Sequence, residues 1–389
     1  MIESQKINLI TKYTITFKSY KNMKTKILVK MMIAIAIMRF VRYKIWTFLF
    51  ISFFITACKS KNESGPIEKI KIDISKMRVE KIDDLLVESD TILLETNSAS
   101  LIGSIVKISF VEDKIFIKNS PNKLSVFYET GNFVGNIGMK GPAGYEFVGL
   151  SDYFINNDTV FIYDFNGKKI LKYEMDGTYI NNTRIEQSFG QIWPLPNNEG
   201  YIVLNSFGNR KDNPKFSWLD YNFNVIYSSR EQRLNSTSFS NAFFQNGVFL
   251  DYWEMFNDTI YSVTKESVTP KYIVDFMGYA MPQDIDDISK MIEYYTQNSN
   301  RVAGMINNVI ETDENVAFMF AHDMASYWAL VDKKDNNVRI FRLTGVKEPF
   351  GKLNYITTYH NGWFYGVYMP DELNFDDNYS FIRFKIKNP

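Results

Sequence analysis

Cysteine and histidine are almost absent from this chain of 389 residues, which contains one cysteine, Cys58, and two histidines, His322 and His360. A single cysteine excludes an internal disulfide and any C-x-x-C site, and two histidines cannot form a histidine-rich metal centre. The chain also lacks H-E-x-x-H, G-x-S-x-G and Walker-type motifs. We therefore expect no metal, no cofactor and no thiol catalysis, and a structural or surface role is the simpler interpretation of both histidines.

Acidic residues are almost absent from the first 57 residues. This segment has ten of the 44 Lys and Arg residues but only one of the 44 Asp and Glu residues. From Cys58 onward, the chain therefore has 34 basic and 43 acidic side chains, a net charge of −9. Such an acidic chain is a poor partner for nucleic acid, so we predict no nucleic-acid binding.

The end of the basic segment is predicted to be a signal peptide. Three basic residues between positions 39 and 44 precede an apolar run, residues 45–55, which is too short to span a bilayer. The sequence ITAC at 55–58 then resembles the lipobox of bacterial lipoproteins. The resemblance implies that Cys58 is acylated and becomes the first mature residue.

Two other interpretations of the leader are an ordinary signal peptide with an incidental cysteine and an N-terminal membrane anchor. Met38 begins a complete signal peptide by itself, which suggests that translation starts there. Residues 1–57 are thus a predicted leader, and the polar residues 58–66 (CKSKNESGP) a tether.

Two similar segments, residues 113–138 and 158–185, indicate a repeat architecture. Each has strands separated by polar or Gly-bearing turns, and Phe116 and Phe161 are 45 positions apart. Antiparallel units at this period are typical of propeller blades. We predict an all-β fold, a six-bladed β-propeller of four-stranded antiparallel blades, over residues 67–389.

Two further segments complete the predicted architecture. The run DTILLET at 90–96 is expected to supply an outer strand that closes the ring against a strand near residues 381–386. Apolar residues at helical spacing predict a short helical insertion over 282–297, with Pro282 and Asp284 at its start. This helix is interpreted as packed on the propeller rim, with a ligand-gating lid as the alternative.

A family resemblance rests on three stretches of the chain. The run DTILLETNSASLIGSIVKISFVEDKIFI, the KGPAGYEF loop and FNDTIYSV resemble the six-bladed β-propeller lipoproteins of Bacteroidota, relatives of NHL-like propellers. In that family the loop follows a G-x-G-P-G-E-Y pattern, and residues 141–146 keep most of it in a different order. Most members lack an established biochemical activity.

Aromatic residues make up 16% of the sequence and supply the candidate ligand contacts. Most must pack between blades. We select Trp193, Trp253 and Trp328, which are expected in or near connections, and Tyr145 in the KGPAGYEF loop. Asp164, Asn166 and Gly167 resemble part of a calcium loop but are interpreted as a turn.

Three Asp-Thr-aliphatic sequences are candidate O-glycosylation sites. They begin at Asp90, Asp158 and Asp258, and resemble the acceptor sequence used in Bacteroidota. All three also open predicted strands, which explains them equally well.

Two hypotheses for function follow. The first is a membrane-anchored cell-envelope protein, attached to the outer membrane through its lipid, with a non-enzymatic binding or scaffold role for a glycan, peptide or protein. The second is an envelope hydrolase or lyase with its site in the central channel. The missing motifs favour binding, and we expect ligand contact on the face that carries the long connections, including residues 282–297.

Overall fold

The computed structural model describes residues 67–120, 122–205, 214–229, 242–285, 287–343, 353–368 and 378–387. The predicted leader and Cys58 lie outside these residues.

Six antiparallel sheets form six blades, as predicted, so the all-β six-bladed propeller is confirmed. Three N-terminal strands come first: β1 (Glu68–Lys71), β2 (Val79–Glu80) and β3 (Leu86–Leu93). Short 3-10 helices at Ile74–Lys76 and Ile82–Asp84 separate them.

The strands of each blade are called A to D from the channel outward. Blade 1 has β4 (Ser104–Val111), β5 (Lys114–Ser120), β6 (Lys123–Tyr128) and β7 (Phe133–Asn136). Blade 2 has β8 (Asp152–Asn156), β9 (Thr159–Asp164), β10 (Lys169–Glu174) and β11 (Tyr179–Arg184). Blade 3 has β12 (Gln191–Pro194), β13 (Tyr201–Leu204), β14 (Phe216–Leu219) and β15 (Val225–Ser228), with a 3-10 helix at Pro196–Asn198.

Blades 4 to 6 follow the same order. Blade 4 has β16 (Phe243–Asn246), β17 (Phe249–Trp253), β18 (Thr259–Val263) and β19 (Val268–Asp275). Blade 5 has β20 (Ala303–Glu311), β21 (Asn315–His322), β22 (Ala325–Asp332) and β23 (Val338–Arg342). Blade 6 has β24 (Leu353–His360), β25 (Trp363–Tyr368) and β26 (Ser380–Ile386), and its D strand is β3.

Burial explains the sequence pattern of the strands. Middle strands such as β13 (YIVL) and β14 (FSWL) are buried at every position, because each blade packs against a neighbour on both faces. The outer strand β11 (YINNTR) is mostly exposed. The large side chains of the middle strands thus form the inter-blade core.

The ring is closed by an N-terminal strand, as predicted. Strand β3 pairs antiparallel with β26, and Ile92 lies opposite Phe381. Both side chains are buried. Blade 6 therefore contains strands from both ends of the propeller domain.

The N-terminal segment also covers two other blades, which the sequence did not predict. Strand β1 pairs in parallel with β19 at the rim of blade 4, and β2 pairs in parallel with β23 at the rim of blade 5. Arg339 of β23 donates two hydrogen bonds to the Glu80 carboxylate of β2, one of them 3.0 Å from Nε. The chain thus runs along the rims of three successive blades before it enters blade 1.

The inserted helix α1 (Ile288–Asn298) begins later than predicted. Its N-cap is Asp287, whose carboxylate accepts a hydrogen bond of 3.0 Å from the Lys290 amide, so Pro282 and Asp284 precede the helix rather than start it. Met291 and Tyr295 are buried in a cluster with Phe256. The helix packs on the propeller through these contacts.

Several strands were not predicted, above all the A strands β8, β12, β16 and β20. The stretch that contains β8, residues 137–156, is interpreted from its glycines and proline as a loop between blades. In β20, Met305 and Asn308 have positive φ, and the register with β21 shifts twice. These irregularities remove the two-residue alternation on which strand prediction depends.

The blades define two ends of the molecule. Because successive strands are antiparallel, the loops from A to B and from C to D lie at one end, which we call the A–B face. The B–C loops and the connections between blades lie at the other end, the D–A face.

Candidate functional site

The six A strands surround a central channel, which contains a cavity of about 410 Å³. Its walls contain seven aromatic side chains: Phe110, Phe154, Trp193, Phe243, Phe244, Trp253 and Tyr359. Amide and hydroxyl groups come from Ser109, Gln245, Asn246, Asn308, Thr357 and Thr358. No carboxylate is among the described residues that line it. Such walls suit ring stacking and hydrogen bonding to a ligand.

The cavity lies toward the A–B face. It is lined by the later residues of the A strands, such as 107–111 of β4 and 357–360 of β24, and by Gly247 of an A–B loop. Helix α1 lies in a D–A connection, at the opposite end. The cavity also reaches Phe243 and Trp253 at the D–A end of blade 4. Ligand contact on the face with this helix stays a prediction.

One buried ion pair closes the wall between blades 1, 2 and 3. The Lys107 ammonium lies 3.0 Å from Asp152 Oδ1 and donates a second hydrogen bond of 2.7 Å to the Tyr153 carbonyl. Asp152 Oδ2 accepts from the Ile192 amide at 3.0 Å. Burial lowers the pKa of the Lys107 ammonium, and the charge of Asp152 opposes that shift. This pair fixes the wall, with Lys107 4.1 Å above the Trp193 ring.

His360 lies at the mouth of the cavity, where blades 6 and 1 meet. Its Nε2 is 2.9 Å from the Glu112 carbonyl oxygen and 3.7 Å from Glu129 Oε1. The Tyr365 hydroxyl also donates to Glu129 Oε1 at 3.1 Å. These contacts give His360 a structural role at the seam between the first and last blades.

His322 lies at the opposite end of the propeller from His360. His322 ends β21 at the D–A face, and its Nδ1 is 2.9 Å from the Val302 carbonyl oxygen. The two imidazoles therefore occupy opposite ends of the propeller and do not form one site.

A second depression lies between blades 3 and 4, with a volume of about 880 Å³. Trp218 and Tyr252 on its walls are buried by packing between the two blades. Lys215 forms an ion pair with Glu254, and burial lowers the pKa of Lys215 to about 8. This groove uses residues from two blades, whereas the channel cavity gathers residues from all six.

The comparisons with known proteins agree with the fold. A family model described as "Domain of unknown function (DUF4934)" matches residues 68–386. The chain belongs to this family. No curated protein matches the chain. The narrower assignment to NHL-like lipoproteins remains a resemblance.

Two solved structures from Bacteroides resemble this DUF4934 protein. One, from Bacteroides fragilis and described as a candidate exported protein, is 20% identical with a TM-score of 0.65, covering 83% of this chain and 100% of the other. The other, a DUF4221 family member from Bacteroides vulgatus, is 13% identical with a TM-score of 0.49, covering 78% and 98%. At 20% identity, the likeness to the Bacteroides fragilis structure shows the fold alone.

The four predicted aromatic contacts of the DUF4934 protein have different positions. Trp193 and Trp253 both line the channel cavity. Tyr145 is 52% exposed in a D–A connection, away from the cavity. Trp328 was expected near a connection, but it lies in the middle of β22 with 0% exposure, packed against Phe364 of the next blade. A ring enclosed on all sides cannot contact a ligand, so Trp328 is a core residue.

The KGPAGYEF loop and the calcium-like sequence form one structural unit. The Asp164 carboxylate accepts hydrogen bonds from three backbone amides, those of Val148, Gly149 and Gly167, at 2.7–3.1 Å. A side chain at Gly141 would collide with the Glu146 carboxylate. Asp164 thus organises a turn and the neighbouring loop. Among the described residues, no group of three His, Cys, Asp or Glu side chains is placed to hold a metal.

The three candidate glycosylation threonines differ in accessibility. Thr91 is exposed on β3, whereas Thr159 and Thr259 are half-buried at the start of their strands. Their modification stays a prediction. In the described part of the chain, no helix is both long and apolar enough to cross a membrane.

Several residues that line the cavity could not be recognised as candidate ligand contacts from the sequence. Gln245, Asn246 and Asn308 lie on β16 and β20, the A strands that were not predicted. In the sequence, an amide residue on a short, irregular strand looks like a loop residue. Only the assembled channel shows that such a residue lines the cavity.

Proposed function

We propose that this protein is an exported, lipid-anchored binding protein of the cell envelope, with its ligand site in the channel cavity. The observation that carries the proposal is the chemistry of the cavity walls, which combine aromatic rings with amides and hydroxyls and contain no carboxylate among their described residues. The lining does contain a histidine and a lysine, but His360 is bonded to the Glu112 carbonyl and Lys107 to Asp152, and no carboxylate among the described wall residues can serve as their catalytic partner. A glycan, peptide or protein ligand is compatible with stacking and hydrogen bonding there.

Export and anchoring are supported by the sequence. The basic n-region, the apolar run at 45–55 and the ITAC sequence ending at Cys58 are the components of a lipoprotein signal peptide. Diacylation provides stable attachment, unlike a single acyl chain. The description of the Bacteroides fragilis structure as a candidate exported protein is consistent with this location.

The binding proposal is tested by narrowing the cavity. Thr358 lies on β24 in the cavity wall, so Thr358→Tyr fills part of the volume. Thr183→Tyr on the outer strand β11 is the matched control. The purified protein in detergent is titrated with neutral trisaccharides and capped tripeptides, and tryptophan fluorescence is followed, because Trp193 and Trp253 line the cavity.

We expect at least one compound to bind the parent and the control equally, and about tenfold more weakly to Thr358→Tyr. If a compound binds Thr358→Tyr as tightly as the parent, its site lies outside the cavity. If none of the compounds binds the parent, the proposal is contradicted. Turnover of a compound that is lost in the double variant His322→Gln, His360→Gln, with folding intact, would support the enzyme hypothesis instead.

A further inference from the structure

The A–B face carries a large share of the negative charge of the molecule. The six A–B loops contain no lysine or arginine and six carboxylates: Glu112, Asp113, Asp158, Glu199, Asp313 and Glu314. The five C–D loops at the same end add five carboxylates and three lysines. These loops alone therefore have a net charge of −8, against −9 for the chain from Cys58 onward.

The A–B carboxylates are close to the cavity. Each A–B loop follows directly from an A strand that lines it, so that Glu112 is the residue after Val111. Burial raises the pKa of the Tyr359 hydroxyl, and the negative charges of Glu314 and Asp313 raise it further. Because Tyr359 is part of the cavity wall, the field of these loops reaches the cavity. Clefts with low-dielectric walls concentrate such a field.

The cavity walls favour a cation for a second reason. The faces of aromatic rings attract ammonium and guanidinium groups. Trp193 already contacts Lys107 in this way, and six other aromatic side chains line the cavity. Lys107 is paired with Asp152, which also attracts the neighbouring half-buried Lys118, and His360 is bonded to the Glu112 carbonyl beside Glu129. The positive groups of the wall are therefore engaged by the protein itself, on the side of the cavity formed by blades 6, 1 and 2.

We propose that the channel cavity receives a basic side chain, of the arginine or lysine type, from a cationic peptide or protein partner. The proposal rests on the function proposed above and names the ligand class of that same site. The ligand side chain binds in the cavity. The surrounding carboxylates do not contact it and contribute only a negative field, which favours a positively charged side chain. A partner would approach the acidic A–B face and insert the side chain between the aromatic walls.

The test compares two probes that differ in one charge. Acetyl-Gly-Arg-Gly-amide and acetyl-Gly-citrulline-Gly-amide have nearly the same shape, but only the first has a guanidinium. Both are titrated calorimetrically into the protein in detergent, at low and high salt. The charge variant is Asp313→Asn with Glu314→Gln. The control, Glu186→Gln with Asp323→Asn, removes the same charge at the D–A face.

We expect the arginine peptide to bind the parent about tenfold more tightly than the citrulline peptide. This preference should shrink at high salt, because screening weakens the exposed carboxylates, and it should shrink in the charge variant but not in the control. Equal binding of the two peptides, or tighter binding of citrulline, would overturn the inference and leave the cavity as a neutral site. Binding of neutral trisaccharides with neither peptide would also overturn it and favour a glycan. If no compound binds, the proposed function fails as well.

Discussion

At the scale of single residues, buried and half-buried lysines connect blades that share no backbone ladder. Lys107 of blade 1 reaches Asp152 of blade 2. In the same way Lys271 of blade 4 pairs with Glu311 of blade 5, whose other oxygen lies 2.6 Å from Lys333. Burial and the neighbouring Glu311 raise the pKa of Asp251, which lies beside Lys271. Such pairs fix the angle between adjacent blades.

The Lys107–Asp152 pair leads to a stability prediction. Lys107→Met leaves the Asp152 charge buried without its cation, so we expect a loss of about 3–5 kcal/mol in the free energy of unfolding. Adding Asp152→Asn removes that charge and keeps an oxygen for the Ile192 amide, so the double variant should recover part of the loss. Urea denaturation measures both. A single variant as stable as the parent would show that the pair contributes little.

At the scale of elements, loss of β26, the strand that closes the ring with β3, is expected to disrupt the fold most. Strand β26 pairs with β25 on one side and β3 on the other. It also buries three large side chains, Phe381, Ile382 and Phe384, all at 0% exposure. Removal of β26 would therefore leave two unpaired strand edges and an uncovered core.

We predict that deletion of residues 378–389 destabilises the whole domain. Each of the three buried side chains contributes about 1.5–3 kcal/mol, so Tm should fall by on the order of 10 °C or more, or the cooperative transition should disappear. Lys385→Ala is the control, since its pair with Glu88 is half-exposed and should change Tm little. Calorimetry on the three proteins provides the measurement. A truncated protein that melts at the parental temperature would refute the closure argument.

At the scale of the whole molecule, the two faces differ. The acidic loops lie at the A–B face, most of the cavity lining lies toward that face, and α1 lies at the D–A face. Strand β1 runs parallel to β19, which leaves a C–D loop, so the described chain also begins at the A–B face.

The anchor is tested by replacing one residue. Cys58→Ser removes the thiol that acylation requires, so the variant should leave the membrane fraction and keep an uncleaved leader, as shown by fractionation and mass spectrometry of its N-terminus. The parent should sediment with membranes. If the variant still sediments and is cut at the same place, Cys58 is not the lipidation site.

The sequence by itself determined the blade architecture and the closure. The period between Phe116 and Phe161, the turns and the strand alternation are local properties, since they arise from side chains that point alternately to the two faces of a strand. The DTILLET run and the last strand were matched from these patterns alone, and the structure pairs them. The inserted helix was found in the same way, with its start displaced by a few residues.

Tertiary structure alone decided where the cavity lies and which residues face it. Trp193 and Trp328 were both selected from the sequence as candidate ligand contacts, yet one lines the channel and the other is enclosed between two blades. The difference depends on which strand is innermost, and the A strands β12, β16 and β20 carry no regular alternation. The position of β1 and β2 on the rims also depends on contacts with strands about 200 residues or more away along the chain. Long-range packing of this kind leaves no local pattern, so it became visible only when all six blades were assembled.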